Sequence, residues 1–177
     1  MGVGGLMSKL LALDLSGTVG AARLERGKVP TFQTLRLEGP DLTWQCGHLN
    51  RFLYDEYDRD PFDGIAWERP LLTDTDTVKL LELLYGLTGV VNGFIGDMRH
   101  RQIVNLAWCV VTVDEAKAEL CGALTKMVGD KRKKMDKDDM LYHARRTMNW
   151  PVTTHHEADA GAVGLVAYSR LWPKRAA

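Results

Sequence analysis

The chain alternates short apolar runs with polar punctuation, and the period of those runs changes along it. Residues 9–15 form a continuous apolar run stopped by Ser16-Gly17, the pattern of a buried strand. Residues 19–25 and 31–38 read as two more strands. Arg26-Gly27-Lys28 predicts the hairpin turn before the third strand, and Gly39-Pro40 ends it. The period then lengthens. Leu42, Cys46, Leu49, Phe52 and Leu53 recur at helical spacing behind the cap residue Asp41. Residues 63–68 return to a short strand, broken by Arg69-Pro70. Asp74 or Asp76 then caps a helix over 77–91, and that helix is apolar nearly all round. A helix without a polar face is central in a core or shared with a partner. Beyond it the pattern predicts a strand over 102–111, a helix over 114–123 and a basic loop over 126–136. A helix over 137–148 is ended by Asn149-Trp150-Pro151. The last helix runs over 157–171, and its Ala160, Gly161 and Gly164 suit close packing on a sheet.

Three strands, then a strand and a helix in alternation, argue an α/β fold: a mixed sheet opened by an antiparallel meander and covered by helices. No internal repeat or low-complexity tract interrupts it. Residues 1–7 are expected to be a disordered lead-in, and residues 8–173 a single domain.

The formal net charge is zero, so no global field draws the chain to a polyanion. A local patch would have to do so, and one exists: Lys126, Lys131, Arg132, Lys133, Lys134 and Lys137. Cys46, Cys109 and Cys121 fit neither a disulfide framework nor a zinc motif, which predicts a reducing, cytoplasmic setting. No apolar run is read as transmembrane in length, so no membrane partner is expected.

The chemistry is carried by an acidic triad. Asp14 follows the apolar run Leu10-Leu11-Ala12-Leu13 and precedes Ser16-Gly17-Thr18. Glu68 follows Gly64-Ile65-Ala66-Trp67, and Asp159 opens the last helix within His156-Glu157-Ala158-Asp159-Ala160. Carboxylates are costly to bury without positive compensation, and a hard divalent cation supplies it. His156 and Asp159 are three apart and share a helix face. The pattern predicts two-metal phosphodiester hydrolysis, with two Mg²⁺ about 4 Å apart and Mn²⁺ able to substitute. Asp14 is the expected bridging ligand, Glu68 and Asp159 complete the sites, and His156 ligates a metal or positions the water. Each residue also has a plainer reading. Asp14 would be a turn cap, Glu68 a surface partner of Arg69, and the acidic residues before Ala160 complements to a helix dipole. The turn Asp14-Leu15-Ser16-Gly17-Thr18 also resembles the phosphate motif of sugar kinases and chaperone ATPases, whose two-domain fold needs about twice this length.

In order and spacing, these motifs resemble the RuvC family of Holliday junction resolvases, within the ribonuclease-H-like superfamily. The resemblance runs from Leu10 to Tyr168. Residues 11–18 look like the family's first motif, residues 65–70 like its second, and residues 156–160 like its last. Ala116-Lys117 followed by Gly122 looks like its Val-Lys…Gly segment, and Lys137 matches a further basic position. Leu15 and Val113 depart from the usual prolines, and His156 stands at the usual first Asp of the final motif, with Glu157 as its rival.

The resemblance implies a five-stranded ribonuclease-H-like sheet and a homodimer packed through helix 77–93. It implies a magnesium-dependent crossover junction endodeoxyribonuclease making paired symmetric nicks in a four-way DNA junction, in a bacterial or phage-infected cell. The catalytic and metal residues would be Asp14, Glu68, His156 and Asp159. Lys117 would contact DNA, with Lys126, Lys131, Arg132, Lys133, Lys134 and Lys137 holding phosphates. Arg51, Arg99, Arg101, Arg145 and Arg146 are candidate branch contacts, or simply solvated helix faces. Phe94 and Ile95 would wedge the junction centre, or belong to a core or dimer contact. Three other readings stand beside this one: a nuclease acting on other branched DNA, a non-catalytic branched-DNA-binding protein, and an ATP-binding piece of an actin-like fold.

Overall fold

A computed structural model describes residues 8–70, 77–103 and 105–173. The lead-in expected at 1–7 and the expected caps Asp74 and Asp76 lie outside the described residues. The elements are β1 (Lys9–Asp14), β2 (Thr18–Glu25), β3 (Thr31–Arg36), α1 (Leu42–Arg59), β4 (Gly64–Glu68) and α2 (Val78–His100). They continue as β5 (Ala107–Val111), α3 (Val113–Cys121), β6 (Thr125–Val128), β7 (Lys131–Lys134), α4 (Lys137–Arg146) and α5 (His155–Leu171).

The main sheet has the order β3-β2-β1-β4-β5. The first three strands pair antiparallel, while β4 and β5 join parallel to β1. This is the mixed sheet that the strand pattern predicts, with the five strands that the family resemblance implies. It separates two cores. Leu10 and Ala12 of β1 face a layer of small residues from α5, backed by α3 and α4. Leu11 and Leu13 face the bulkier Leu49, Leu53, Leu87, Val91 and Phe94 of α1 and α2. Alternation along a strand sends successive side chains to opposite faces, so an unbroken apolar run serves both cores.

The two helical layers differ in approach distance. α5 lies almost on the sheet, because a Cβ at its Gly164 would stand 2.4 Å from the Leu24 side chain. α2 stands off on large side chains. It starts at the cap Thr77, whose hydroxyl accepts from Leu80 N–H, and runs to His100. The helix therefore extends beyond the expected end at residue 91, and it absorbs the start of the expected strand, so β5 begins only at Ala107. By length and composition α2 is also long and apolar enough to cross a membrane, correcting the reading that no run approaches that length. Here it packs on α1 and the sheet, burying Leu84, Leu87, Val91, Phe94, Ile95 and Met98.

Phe94 and Ile95 thus lie inside α2 and in the core, not past the helix end as a wedge. Residues 126–136, expected as a loop, contain most of an antiparallel hairpin pairing Thr125 with Lys134 and Val128 with Lys131. Lysine-rich strands lack the apolar alternation that announces a strand, so cross-strand pairing alone reveals this one.

Candidate active site

The site forms where the central strands end. Leu13 pairs with Trp67 across the parallel β1–β4 ladder, so Asp14 and Glu68 close neighbouring strands side by side. Asp14 shares its face with Ala12 and Leu10, and Glu68 shares its face with Ala66. Both carboxylates therefore turn toward α5. Opposite Asp14 in the antiparallel ladder sits Gly20. A Cβ there would stand 1.9 Å from the His156 carbonyl oxygen, so only glycine lets the α5 N-terminus descend onto β2 at this point. That descent brings His156 Nδ1 to 2.7 Å from Asp14 Oδ2.

The start of α5 is built for rigidity. Thr154 caps it, and Glu157 returns the bond in a capping box. Glu157 Oε2 accepts from Thr153 N–H at 2.5 Å, Thr153 Oγ1 at 2.9 Å and Thr154 N–H at 3.2 Å, while Oε1 accepts from Thr34 Oγ1 at 3.1 Å. Burial pushes its carboxyl up, but these donors outweigh burial and hold it below the usual range. Glu157, the rival for the last motif, is thus committed to the loop and β3, and His156 is the residue that meets Asp14. His155 reaches Asp138 on α4 at 3.0 Å, tying the two helices beside the site.

Electrostatics shows what the cluster lacks. Glu68 is pushed up to about 8 by burial, then by the negative charges of Asp14 and Asp159. Asp159 rises to about 6 from burial and from Asp14. The His156 imidazole is raised by its hydrogen bond to Asp14, against the effect of burial. Lys117 on α3 and Lys137 at the start of α4 oppose the rise at Glu68, and Lys137 also opposes it at Asp159. Among the described residues Glu68 has no ion-pair partner, so the alternative pairing with Arg69 does not form. Asp14 is 8% exposed, which sets it apart from a solvated turn cap.

The donor set fits a hard divalent cation in its chemistry: carboxylate oxygens with too little positive charge between them. In its geometry it is not closed, because among the described residues no three His, Cys, Asp or Glu side chains form a ready-made ligand set. A cation held among these carboxylates would relieve the repulsion that raises Glu68 and Asp159.

The basic residues divide. Lys117 and Lys137 act on the acidic centre, and Lys117 Nζ donates to the Met135 carbonyl at 3.2 Å. Lys126, expected as a phosphate contact, is instead bound to Asp139 at 2.5 Å and Asp136 at 3.6 Å. Lys131, Arg132, Lys133 and Lys134 form β7, all four exposed. Of the arginines, Arg145 donates to the Val152 and Thr153 carbonyls, Arg99 to the Leu106 carbonyl, and Arg101 pairs with Asp97. Arg51 pairs with Asp55. Sequence reasoning missed Gly20 as a positioning residue. Its signal would have been a glycine inside a strand pattern, which marks close backbone approach.

No protein-family model matches the chain, and no curated protein matches it. Solved structures do. RuvC from Thermus thermophilus in complex with a Holliday junction substrate superposes with a TM-score of 0.67 at 12% identity, covering 93% of this chain and 96% of that one. Thermus thermophilus RuvC in a second structure gives a TM-score of 0.60 at 14% identity, covering 92% and 95%. The yeast mitochondrial Holliday junction resolvase Ydc2 gives 0.63 at 9% identity, covering 93% and 80%. The resemblance stated from the motifs is thus matched by the fold. The chain has the same fold as these solved structures, a mixed five-stranded sheet of the ribonuclease-H-like kind flanked by helices.

Proposed function

We propose that the protein is a divalent-metal-dependent, structure-selective endonuclease that cuts four-way DNA junctions. One observation carries the reading: in this fold Asp14 and Glu68 close neighbouring central strands on the face toward α5, where Asp14 meets His156 and its charge acts on Glu68 and Asp159. The residues that would hold Mg²⁺ or Mn²⁺ are Asp14, Glu68 and Asp159, with His156 beside Asp14. Bound there, the cations would activate the attacking water and stabilise the leaving 3′ oxygen. Asp14 is the most buried of the three acids and neighbours both others, which suits it to bridge. His156 holds a proton at Nδ1 against Asp14 and keeps that carboxylate oriented. Lys117 and Lys137 supply positive charge for the scissile-strand phosphates.

A homodimer through α2 is part of the proposal. Val78, Leu80 and Tyr85 are exposed on that helix, and nothing lies within 4 Å of a Cβ placed at Gly89 or Gly93. Two copies would present two acidic centres to opposed strands. A cytoplasmic location is also part of the proposal, supported by the free Cys46, Cys109 and Cys121.

The test is cleavage of a labelled four-way junction and of a matched linear duplex, in Mg²⁺ and in EDTA, beside Asp14→Asn. Paired symmetric nicks in the junction alone, lost in EDTA and in the variant, support the reading. Equal cutting of both substrates makes the protein a general nuclease of this fold. Tight junction binding without cutting makes it a binding protein.

A further inference from the structure

Between α3 and α4 the chain leaves the sheet and forms the β6–β7 ribbon. Its register fixes its faces. Thr125, Met127, Arg132 and Lys134 share one face, and Lys126, Val128, Lys131 and Lys133 share the other. The ribbon and its turn hold five cations against one anion, Asp130 at the tip. Four of those cations, Lys131, Arg132, Lys133 and Lys134, make no hydrogen bond or ion pair among the described residues.

The root of the ribbon is fastened beside the acidic centre. Lys126 on the second face is bound to Asp139 and Asp136 of the α4 start. Met135 N–H donates to the Leu124 carbonyl at 2.9 Å, and Lys117 Nζ caps the Met135 carbonyl. Lys117 and Lys137, which act on Glu68, therefore flank the place from which the ribbon projects.

Four adjacent cations repel one another unless anions stand between them. A ribbon laid flat on one phosphate backbone needs cations on one face only. This one carries two unpartnered cations on each face, which suits a backbone on each side. The groove of a linear duplex offers two backbones, and so does the space between two diverging arms. The tip decides between them. Asp130 would be repelled deep in a groove lined by phosphates, and Met127 and Val128, 64% and 43% exposed, offer apolar surface near the tip. Base faces freed from stacking occur at a branch point and not in a continuous duplex.

We propose that the β6–β7 ribbon stands between two arms of a branched DNA, each face against a different phosphate backbone, and supplies the preference for branched over linear DNA. This rests on the nuclease reading for its substrate class. The ribbon is a recognition element. It holds no group that reacts.

The test is equilibrium binding in EDTA, where no cutting occurs, to a labelled four-way junction and to a linear duplex of the same composition. The proteins are wild type, R132S/K134S for one face and K131S/K133S for the other, each over a salt series. All four positions are exposed, and an unchanged melting curve confirms the fold of each variant. Each pair is expected to weaken junction binding by about tenfold or more and to lower the salt slope by about 1.8, while linear duplex binding changes by less than about threefold. Equal losses on both substrates, a loss from one face only, or no loss would each overturn the proposal. Failure of the nuclease reading looks different: a protein that never cuts but keeps a ribbon-dependent junction preference refutes the nuclease and retains the ribbon.

Discussion

Strand β1 has ionisable groups at both ends, and the two ends are opposites. At its start, Lys9 Nζ meets Asp60 at 2.5 Å, and Arg23 bridges Glu56 at 2.8 Å and Asp60 at 3.1 Å. Glu56 and Asp60 each have a cation. The Lys9 hydrogen bond holds the Asp60 carboxyl below its ordinary range despite some burial. At the other end Asp14 has His156, while Glu68 and Asp159 have no ion-pair partner among the described residues and both are pushed upward. The first end is matched within the chain. The second is left unmatched, which is how a chain leaves room for something it does not itself contain.

The largest expected effect breaks the unmatched end. Glu68→Gln should reduce junction cleavage by at least about a hundredfold, as loss of a group acting in proton or charge handling does. Its melting temperature in EDTA at neutral pH should equal or exceed that of wild type, because the change removes a repelled carboxyl. A strongly destabilised variant would mean that Glu68 holds structure rather than chemistry. The converse change is Glu56→Gln at the matched end. Glu56 is 3% exposed and faces the guanidinium of Arg23, so the variant should lose about 3 kcal/mol by denaturant titration. Cleavage should persist wherever the variant remains folded.

Next is Gly20→Ala. The methyl group would press on the His156 backbone, lifting the start of α5 and its bond to Asp14. A cost of about 1–3 kcal/mol is expected, typical of overpacking. Cleavage should fall further than that stability loss accounts for at a temperature where the variant is fully folded. Unchanged cleavage would show that the approach of α5 is not needed for chemistry.

pH separates the ends without mutation. A raised folded-state value means the folded protein holds its proton more tightly than the unfolded chain does. Glu68 and Asp159 therefore contribute stability below the ordinary carboxylate range, and it is lost as pH climbs toward about 6 for Asp159 and about 8 for Glu68. Asp60, held low, contributes above the ordinary range and loses that contribution on acidification. Melting curves in EDTA should fall between pH 5 and 8 through Asp159 and Glu68, and Mg²⁺ or Mn²⁺ should reverse the fall. Glu68→Gln should flatten it. The smallest effect belongs to Arg51→Ala, whose partner Asp55 is exposed, with a stability change within about 0.5 kcal/mol.

Much of this was legible along the chain. The apolar run before Asp14, the run before Glu68 and the small-residue stripe after Asp159 are local signals, and local signals identify buried strands and a close-packed helix. Those three runs imply the layered sheet and put Asp14, Glu68 and Asp159 at the ends of its elements. The hairpin was not legible, because Lys131-Arg132-Lys133-Lys134 has no apolar face and its strand character comes only from pairing with Thr125 to Val128. The length of α2 was hidden by glycines that look like breakers but sit on an exposed helix side. Lys126 looked like its neighbours until Asp136 and Asp139 were brought against it. The choice between His156 and Glu157 was likewise beyond sequence. Both lie in the first turn of α5, and only the approach of that turn to Gly20 sends one side chain to Asp14 and the other to Thr153 and Thr34. Burial pattern and periodicity are properties of neighbours in sequence, so the sequence determined the elements and the acids at their ends. Partnership between charges is a property of neighbours in space, so only the tertiary structure decided which carboxylates are matched and which are left without a cation.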